Sequence, residues 1–221
     1  MNVDEAITTR HSVRAFLPTP VPDTDIEHIL NVASHSPSGN NTQPWQVYVV
    51  TGGARDRVCS AVLEARENAP RPEREYRSNP APLPEPLKAR SRQNGIALYT
   101  LLGVEKGDQA AHHAQQRRNY RFFDAPVGLF FFVDRRLERG NWLDYGMFVQ
   151  SVMLAARGRG LQTCAQGAWA NFHPVVRACV GASDDELLIC GMALGYADES
   201  APVNALEVPR EPPSVFARWC T

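Results

Sequence analysis

A chain of 221 residues that is 43% hydrophobic can bury a sizeable core, and it fits one large domain, or a domain with an insertion, better than two independent units. Its 23 Lys and Arg against 24 Asp and Glu leave a formal net charge of −1, which excludes the broad basic footprint of a nucleic-acid or anionic-lipid binder and confines any anion site to a local cluster. The N-terminal MNVDEAITTRHSVRAF lacks the apolar run of a secretory signal and no later stretch reaches transmembrane length, so a soluble cytoplasmic protein is expected.

In chain order, residues 2–9 read as a short helix with Val3, Ala6 and Ile7 on one side, stopping in the donor-rich RHSVR. In PDTDIEHILNVASHS, Thr24 and Glu27 read as a capping box, and Ile26, Ile29, Leu30 and Ala33 recur at helical spacing, predicting a helix over 25–34. SPSGNNTQPW carries the chain out of that helix into WQVYVVT, which has strand composition. Gly52 and Gly53 then turn into a helical pattern through Val58, Val62 and Leu63. The stretch 69–86 holds six prolines, which forbid both a continued helix and a central strand.

Helical patterns over 87–103 and 108–120 precede APVGLFFFVDR, an apolar run suited to a strand buried on both faces. WLDYGMFVQSVMLAARGRG is apolar nearly all round in its middle and ended by Gly158 and Gly160, predicting a central, buried helix, with a subunit contact as a second home for its apolar faces. LQTCAQGAW reads as a short strand breaking into a turn, HPVVRACVG as a short helix, ELLICGMALGYA as a buried strand, and the proline-bearing tail over 202–219 as an extended arm. Strands near 45, 127, 161 and 188 with helices between them predict an α+β sheet sandwiched by helices. No GxGxxG or GxxxxGK[ST] run anchors a Rossmann or P-loop reading, so a nicotinamide nucleotide, if used, is a visiting substrate.

Five cysteines (Cys59, Cys164, Cys179, Cys190, Cys220) without CxxC spacing read as reduced packing residues. The six histidines show no ligand-like spacing, His112 and His113 reading as a solvated helix face, and no metal is expected. Among residues able to carry chemistry, Arg10, Ser12 and Arg14 could converge two guanidinium forks and a hydroxyl on an anion, or be exposed turn residues. Ser36, Ser38, Asn40, Asn41, Thr42 and Gln43 supply donors and acceptors around Gly39, where the backbone can approach a ligand closely; a helix-terminating loop has the same composition. Cys164, Ala165, Gln166 and Gly167 stand where a strand exits into a turn, and Arg210 is a single charge in a proline-fixed arm.

Taken in this order, RHSVRAF, SPSGNNTQPW, GLQTCAQGAW and an arginine in a proline-flanked C-terminal arm resemble the FMN-dependent nitroreductase family. The resemblance runs from Asp4 to about Trp219, and within the family it is nearest the bacterial nitrobenzoate and nitroaromatic reductases. It implies a three-layer α+β sandwich with a mixed, mainly antiparallel central sheet. It also implies an intertwined homodimer whose C-terminal arms, about 202–221, embrace the partner and whose two FMN sites lie at the interface. Carried over by position, Arg10, His11, Ser12 and Arg14 hold FMN from one chain, Arg10 toward the phosphate and Arg14 toward the ribityl and pyrimidine end. Arg210 completes the phosphate site. Pro37, Ser38, Gly39 and Asn41 approach from the other chain, and Ala165, Gln166 and Gly167 line the ring with a backbone N–H toward N5. The family often has a second basic residue two or three positions before that arginine; Glu207 and Val208 stand there in this chain.

The implied reaction is ping-pong: NADH or NADPH delivers hydride to flavin N5 and leaves, and a nitroaromatic or quinone is reduced in the same place. A cation such as Arg14 near N1 and the C2 carbonyl stabilises the reduced ring, so no side-chain nucleophile or base is required. An insertion over about 70–123 would roof the acceptor face, with Tyr76, Tyr99, Tyr120, Phe122 and Phe123 as aromatic surface and Arg117, Arg118 and Arg121 as cations; each also has a core or solvated-face reading. Reductive dehalogenation or flavin breakdown on the same scaffold, and an FMN-binding module without turnover, are the alternatives.

Overall fold

The computed structural model describes residues 1–68 and 74–220, so the first part of the proline-rich excursion, 69–73, lies outside the described residues. The helices are α1 (Val3–Thr9), α2 (Asp23–Ala33), α3 (Gly52–Asn68), α4 (Leu87–Leu101), α5 (Gln109–Asn119), α6 (Arg139–Gly158), α7 (His173–Val180) and α8 (Pro213–Phe216). The strands are β1 (Gln46–Thr51), β2 (Val127–Asp134), β3 (Gln162–Gln166) and β4 (Glu186–Gly195), in sheet order β1-β2-β4-β3 with every neighbour antiparallel. A parallel component comes from outside the strands, as a bridge between Ser12 and Thr163.

The apolar run of β2 is buried along its length because it faces two cores. Period-2 alternation sends Phe130 and Phe132 to one side, against Val58, Val62, Trp169 and Val176 of α3, the turn after β3 and α7. Leu129, Phe131 and Val133 go to the other side, against Ile26, Ile29, Tyr145, Phe148 and Val152 of α2 and α6. Three layers result, helices on sheet on helices.

Two expectations are corrected. Helix α2 starts at Asp23, and its N-cap is Pro22, whose carbonyl accepts from the backbone N–H groups of Asp25 and Ile26, so Thr24 sits inside the first turn and makes no capping box. Asp23 and Asp25 there favour the helix N-terminus through the dipole instead. Helix α6 is not buried all round: one stripe, Asp144, Tyr145, Phe148, Val152 and Ala156, packs on the sheet, while Leu143 is 70% exposed. The tail carries a 3₁₀ turn at Pro202–Ala205 and the short α8, and its end projects, leaving Trp219 91% exposed.

All five cysteines are free, but Cys179 and Cys220 are exposed and do no packing. His112 packs at a tilt against Tyr99 with ring centroids 3.9 Å apart, tying α5 to α4, so it is more than a solvated residue. Among the described residues no group of three or more His, Cys, Asp or Glu could hold a metal, and no helix is long and apolar enough to cross a membrane.

Candidate functional site

After α1 the chain becomes extended at Arg10 and runs beside β3. Val13, fully buried, anchors this run, and its N–H donates to the Thr163 carbonyl at 3.2 Å. Alternation then turns Ser12 and Arg14 to the opposite side from Val13. The Arg14 N–H donates to Asn204 Oδ1 at 2.7 Å, and Asn204 Nδ2 donates to the carbonyls of Ala15 and Asp198 at 2.8 and 2.9 Å. Asn204 is thereby a clasp that closes the C-terminal turn against the N-terminal run.

Between these two segments lies a cleft of about 790 Å³. Arg10, His11, Ser12 and Arg14 form one wall, residues 204–208 and Arg210 the other, and Asn94 of α4 also lines it. Four residues close together in sequence and one 200 positions away thus line the same cleft. Burial, followed by the charge of Arg210, holds the Arg10 guanidinium below its ordinary pKa. Among the described residues no carboxylate pairs with Arg10, Arg14 or Arg210; Arg14 donates to the Ser12 carbonyl at 3.1 Å and Arg210 to the Val208 carbonyl at 3.0 Å. Cations gathered in one cleft with no carboxylate paired to them fit a doubly charged phosphate.

Cys164 lies on β3 under this cluster. Burial pushes its thiol up, against the opposing pull of Arg14, a hydrogen bond with Ser12, and Arg10, which makes it a poor nucleophile. Alkylation at pH 8 is therefore expected to modify Cys179 and Cys220 and to spare Cys164; peptide mapping that finds Cys164 labelled first contradicts this burial.

At the exit of β3, Ala165 and Gly167 are exposed but are not among the residues lining the cleft, while Gln166 is buried with its side chain turned inward. Its Nε2 donates to the Asn119 carbonyl at 2.8 Å, and its Oε1 accepts from Trp169 Nε1 at 3.3 Å. Gln166, itself buried, thus fixes the turn from below and leaves Ala165 and Gly167 on either side of it exposed.

Pro37, Ser38, Gly39 and Asn41 are not brought into the cleft of their own chain. Their loop is held on α6: the Ser36 hydroxyl bonds with that of Ser151 at 2.7 Å and donates to the Ala33 carbonyl, and the Gly39 N–H donates to Asp144 Oδ1 at 3.2 Å. Asn40 and Asn41 take left-handed backbone conformations (φ 51° and 57°), for which asparagine is one of the least costly residues after glycine. Pro37, Gly39 and Asn41 are exposed, beside an apolar recess formed with Trp142, Leu143, Gly146 and Met147.

The aromatic residues expected on the acceptor face require correction. Tyr120, Phe122 and Phe123 are 2% exposed or less and belong to the core, Phe122 stacked on Trp169 at 4.5 Å. The left-handed backbone of Phe122 and Phe123 costs about 1–3 kcal/mol each, which burial of the two rings offsets. Tyr76 is half-buried; its hydroxyl donates to the Ile189 carbonyl and its ring meets Trp142 edge-on at 4.8 Å. Arg117, Arg118 and Arg121 pair with Glu67 and Asp124 on the surface.

Sequence reasoning missed Asn204, Asn94 and Asp144. An acid within the apolar WLDYGMF run was the available signal for Asp144; nothing local marks Asn204, whose partner Arg14 is 190 residues away.

The fold and the cleft define an α+β sandwich with an arginine-lined cleft between its N-terminal run and its C-terminal arm. The chain belongs to the nitroreductase family, whose model matches residues 7–196. It is 44% identical over 209 residues to the chloronitrobenzene nitroreductase of Comamonas testosteroni, covering 94% of this chain and 92% of that one. It is 41% identical to the 4-nitrobenzoate reductase of Pseudomonas putida, over 98% of this chain and 94% of that one. In structure it superposes with a TM-score of 0.95 on the FMN-dependent nitroreductase NfnB from Mycobacterium smegmatis in complex with NADPH, at 31% identity, covering 99% and 97% of the two chains.

Proposed function

We propose that this chain is an FMN-dependent nitroreductase that oxidises NADH or NADPH and reduces nitroaromatic or quinone-type acceptors, acting in the cytoplasm as a homodimer with two FMN sites at its interface. The observation that carries the reading is the cleft in which Arg10, Arg14 and Arg210 face one another without a carboxylate partner among the described residues. When bound, FMN supplies hydride chemistry between nicotinamide and acceptor.

The chain's own residues hold and orient it. Arg10 and Arg210 take the phosphate, His11 and Ser12 the tail beside it, and Arg14, fixed by Asn204, places a permanent cation toward the ribityl and pyrimidine end. Ala165, Gln166 and Gly167 offer backbone to the ring, on a turn kept rigid by Gln166 and Trp169. Pro37, Ser38, Gly39 and Asn41 serve the partner's cleft. Supporting that arrangement, Val3, Ile7, Val32 and Leu143 are exposed on α1, α2 and α6, and Phe216 and Trp219 project on the arm, apolar side chains that a partner would cover. The insertion remains the cover of the site through Asn94, and no side-chain base is needed. Nitroarene reduction, for which the relatives above are named, is favoured over ring dehalogenation, flavin breakdown or a module without turnover.

The test is reconstitution with FMN followed by NADPH and NADH oxidation with 4-nitrobenzoate. Turnover with a bound flavin is expected; a chain that takes up no FMN, or whose FMN neither nucleotide reduces, overturns the reading. Asp144→Ala, which frees the Gly39 N–H, is expected to weaken FMN about fivefold through the loop it supports, while Asp144→Asn, which keeps an acceptor, stays near wild type. Equal losses in the two variants would mean that the charge of Asp144, rather than its hydrogen bond, is what matters.

A further inference from the structure

Glu207 lines the same cleft as the three arginines. Its carboxylate makes no ion pair or hydrogen bond among the described residues, although Arg10 and Arg210 are charged, crowded and without carboxylate partners. The other acid beside Arg210 is placed differently: Glu211 Oε1 accepts from Arg90 Nε of α4 at 2.8 Å, so its charge is neutralised outside the cleft wall. Glu207 is thus the one acid among the residues that line the cleft, and no cation is paired with it among the described residues.

Resting on the flavin reading, we propose that Glu207 sets the cofactor affinity of this chain by opposing the FMN phosphate, so that FMN is held less tightly than the three arginines alone would hold it. A phosphate near pH 7 carries close to two negative charges, and Glu207 offsets one of the three positive charges it meets. Across a wet cleft a few ångströms wide, one unit charge changes the affinity for such an anion by roughly three- to tenfold, and salt screens the effect. The consequence is an enzyme that exchanges its flavin with the free pool, with the weakening located in one exposed side chain that plays no part in the core.

The experiment is titration of the apoprotein with FMN, read by quenching of flavin fluorescence and by the FMN-induced rise in Tm, for wild type, Glu207→Gln and Glu207→Lys. The expected result is a Kd lowered about three- to tenfold by Glu207→Gln and further by Glu207→Lys, with the differences shrinking as NaCl is raised. Unchanged affinity in both variants overturns the proposal. Weaker binding by Glu207→Gln also overturns it, and identifies the carboxylate as an acceptor for ribityl hydroxyls. A wild-type chain that binds no FMN at all refutes the flavin reading itself, an outcome distinct from the first two.

Discussion

Replacing Arg10 and Arg210 together by alanine is expected to weaken FMN binding about a thousandfold and to leave the apoprotein as stable as before. Each guanidinium contributes charge-assisted hydrogen bonds to a phosphate, worth roughly 1.5–3 kcal/mol apiece, and a factor of ten is about 1.4 kcal/mol. The two losses add incompletely, because removing either arginine relieves the crowding that lowers the pKa of Arg10. The same crowding means that the apoprotein loses a repulsion, so its Tm is expected to hold or rise slightly. Opposite signs for cofactor affinity and apoprotein stability distinguish a ligand site from a structural cluster; a double variant that unfolds, or that keeps its FMN, contradicts the assignment. Calorimetry of the apoprotein alongside a fluorescence titration provides both readings.

Gly191→Ala is expected to destabilise the fold by about 2–3 kcal/mol, lowering Tm by roughly 5–10 °C. A Cβ at this β4 position would stand 2.3 Å from Trp169 Cδ1 and 2.9 Å from its Nε1. The indole cannot retreat, since it is fully buried, stacked on Phe122 and edge-on to Phe130 at 5.1 Å and Tyr120 at 5.5 Å. Trp169 also donates to Gln166, so the strain reaches the turn of Ala165 to Gly167, and FMN affinity is expected to fall with stability. Gly128→Ala makes a similar clash, 2.3 Å from Phe122 Cζ, but without a hydrogen bond to that turn, and is expected to cost stability with a smaller effect on FMN. Thermal melts and FMN titrations of the two variants separate these outcomes; an unchanged Tm for Gly191→Ala would show that the aromatic cluster yields at no cost.

The layers were legible because periodicity reports burial. Continuous apolar runs identified β2 and β4, and the spacing of Ile26, Ile29 and Ala33 identified α2. Where composition was read without geometry, the reading failed. The boundary of α2 was set by Pro22, which fixes φ and offers a carbonyl, and not by the Thr24 side chain. Tyr120, Phe122 and Phe123 lie in a segment of insertion-like composition, yet an aromatic ring in such a segment can turn to either side, and Gly128 leaves room on β2 for Phe122 to turn inward. The arginines of the cleft were visible as RHSVR plus a distant arginine, with Glu207 noted near the latter, whereas the clasp of Asn204 depends on a chain reversal that no local pattern encodes.

The separation of the SPSGNN loop from the arginine cleft within one chain is what a site shared between protomers requires. Complementation tests it. One chain carries Arg10→Ala and Arg210→Ala; the other carries Gly39→Trp, at an exposed loop position where an added Cβ meets nothing nearer than Asp144 Oδ2 at 3.8 Å. Each homodimer is expected to hold almost no FMN. In co-expressed mixed dimers, one of the two sites takes its arginines from the Gly39→Trp chain and its loop from the other, so the mixture should recover about one quarter of the wild-type FMN content and NADPH-dependent nitrobenzoate reduction. FMN content no higher than that of the two separate variants would place the loop and the cleft in the same protomer's site, or the loop in none.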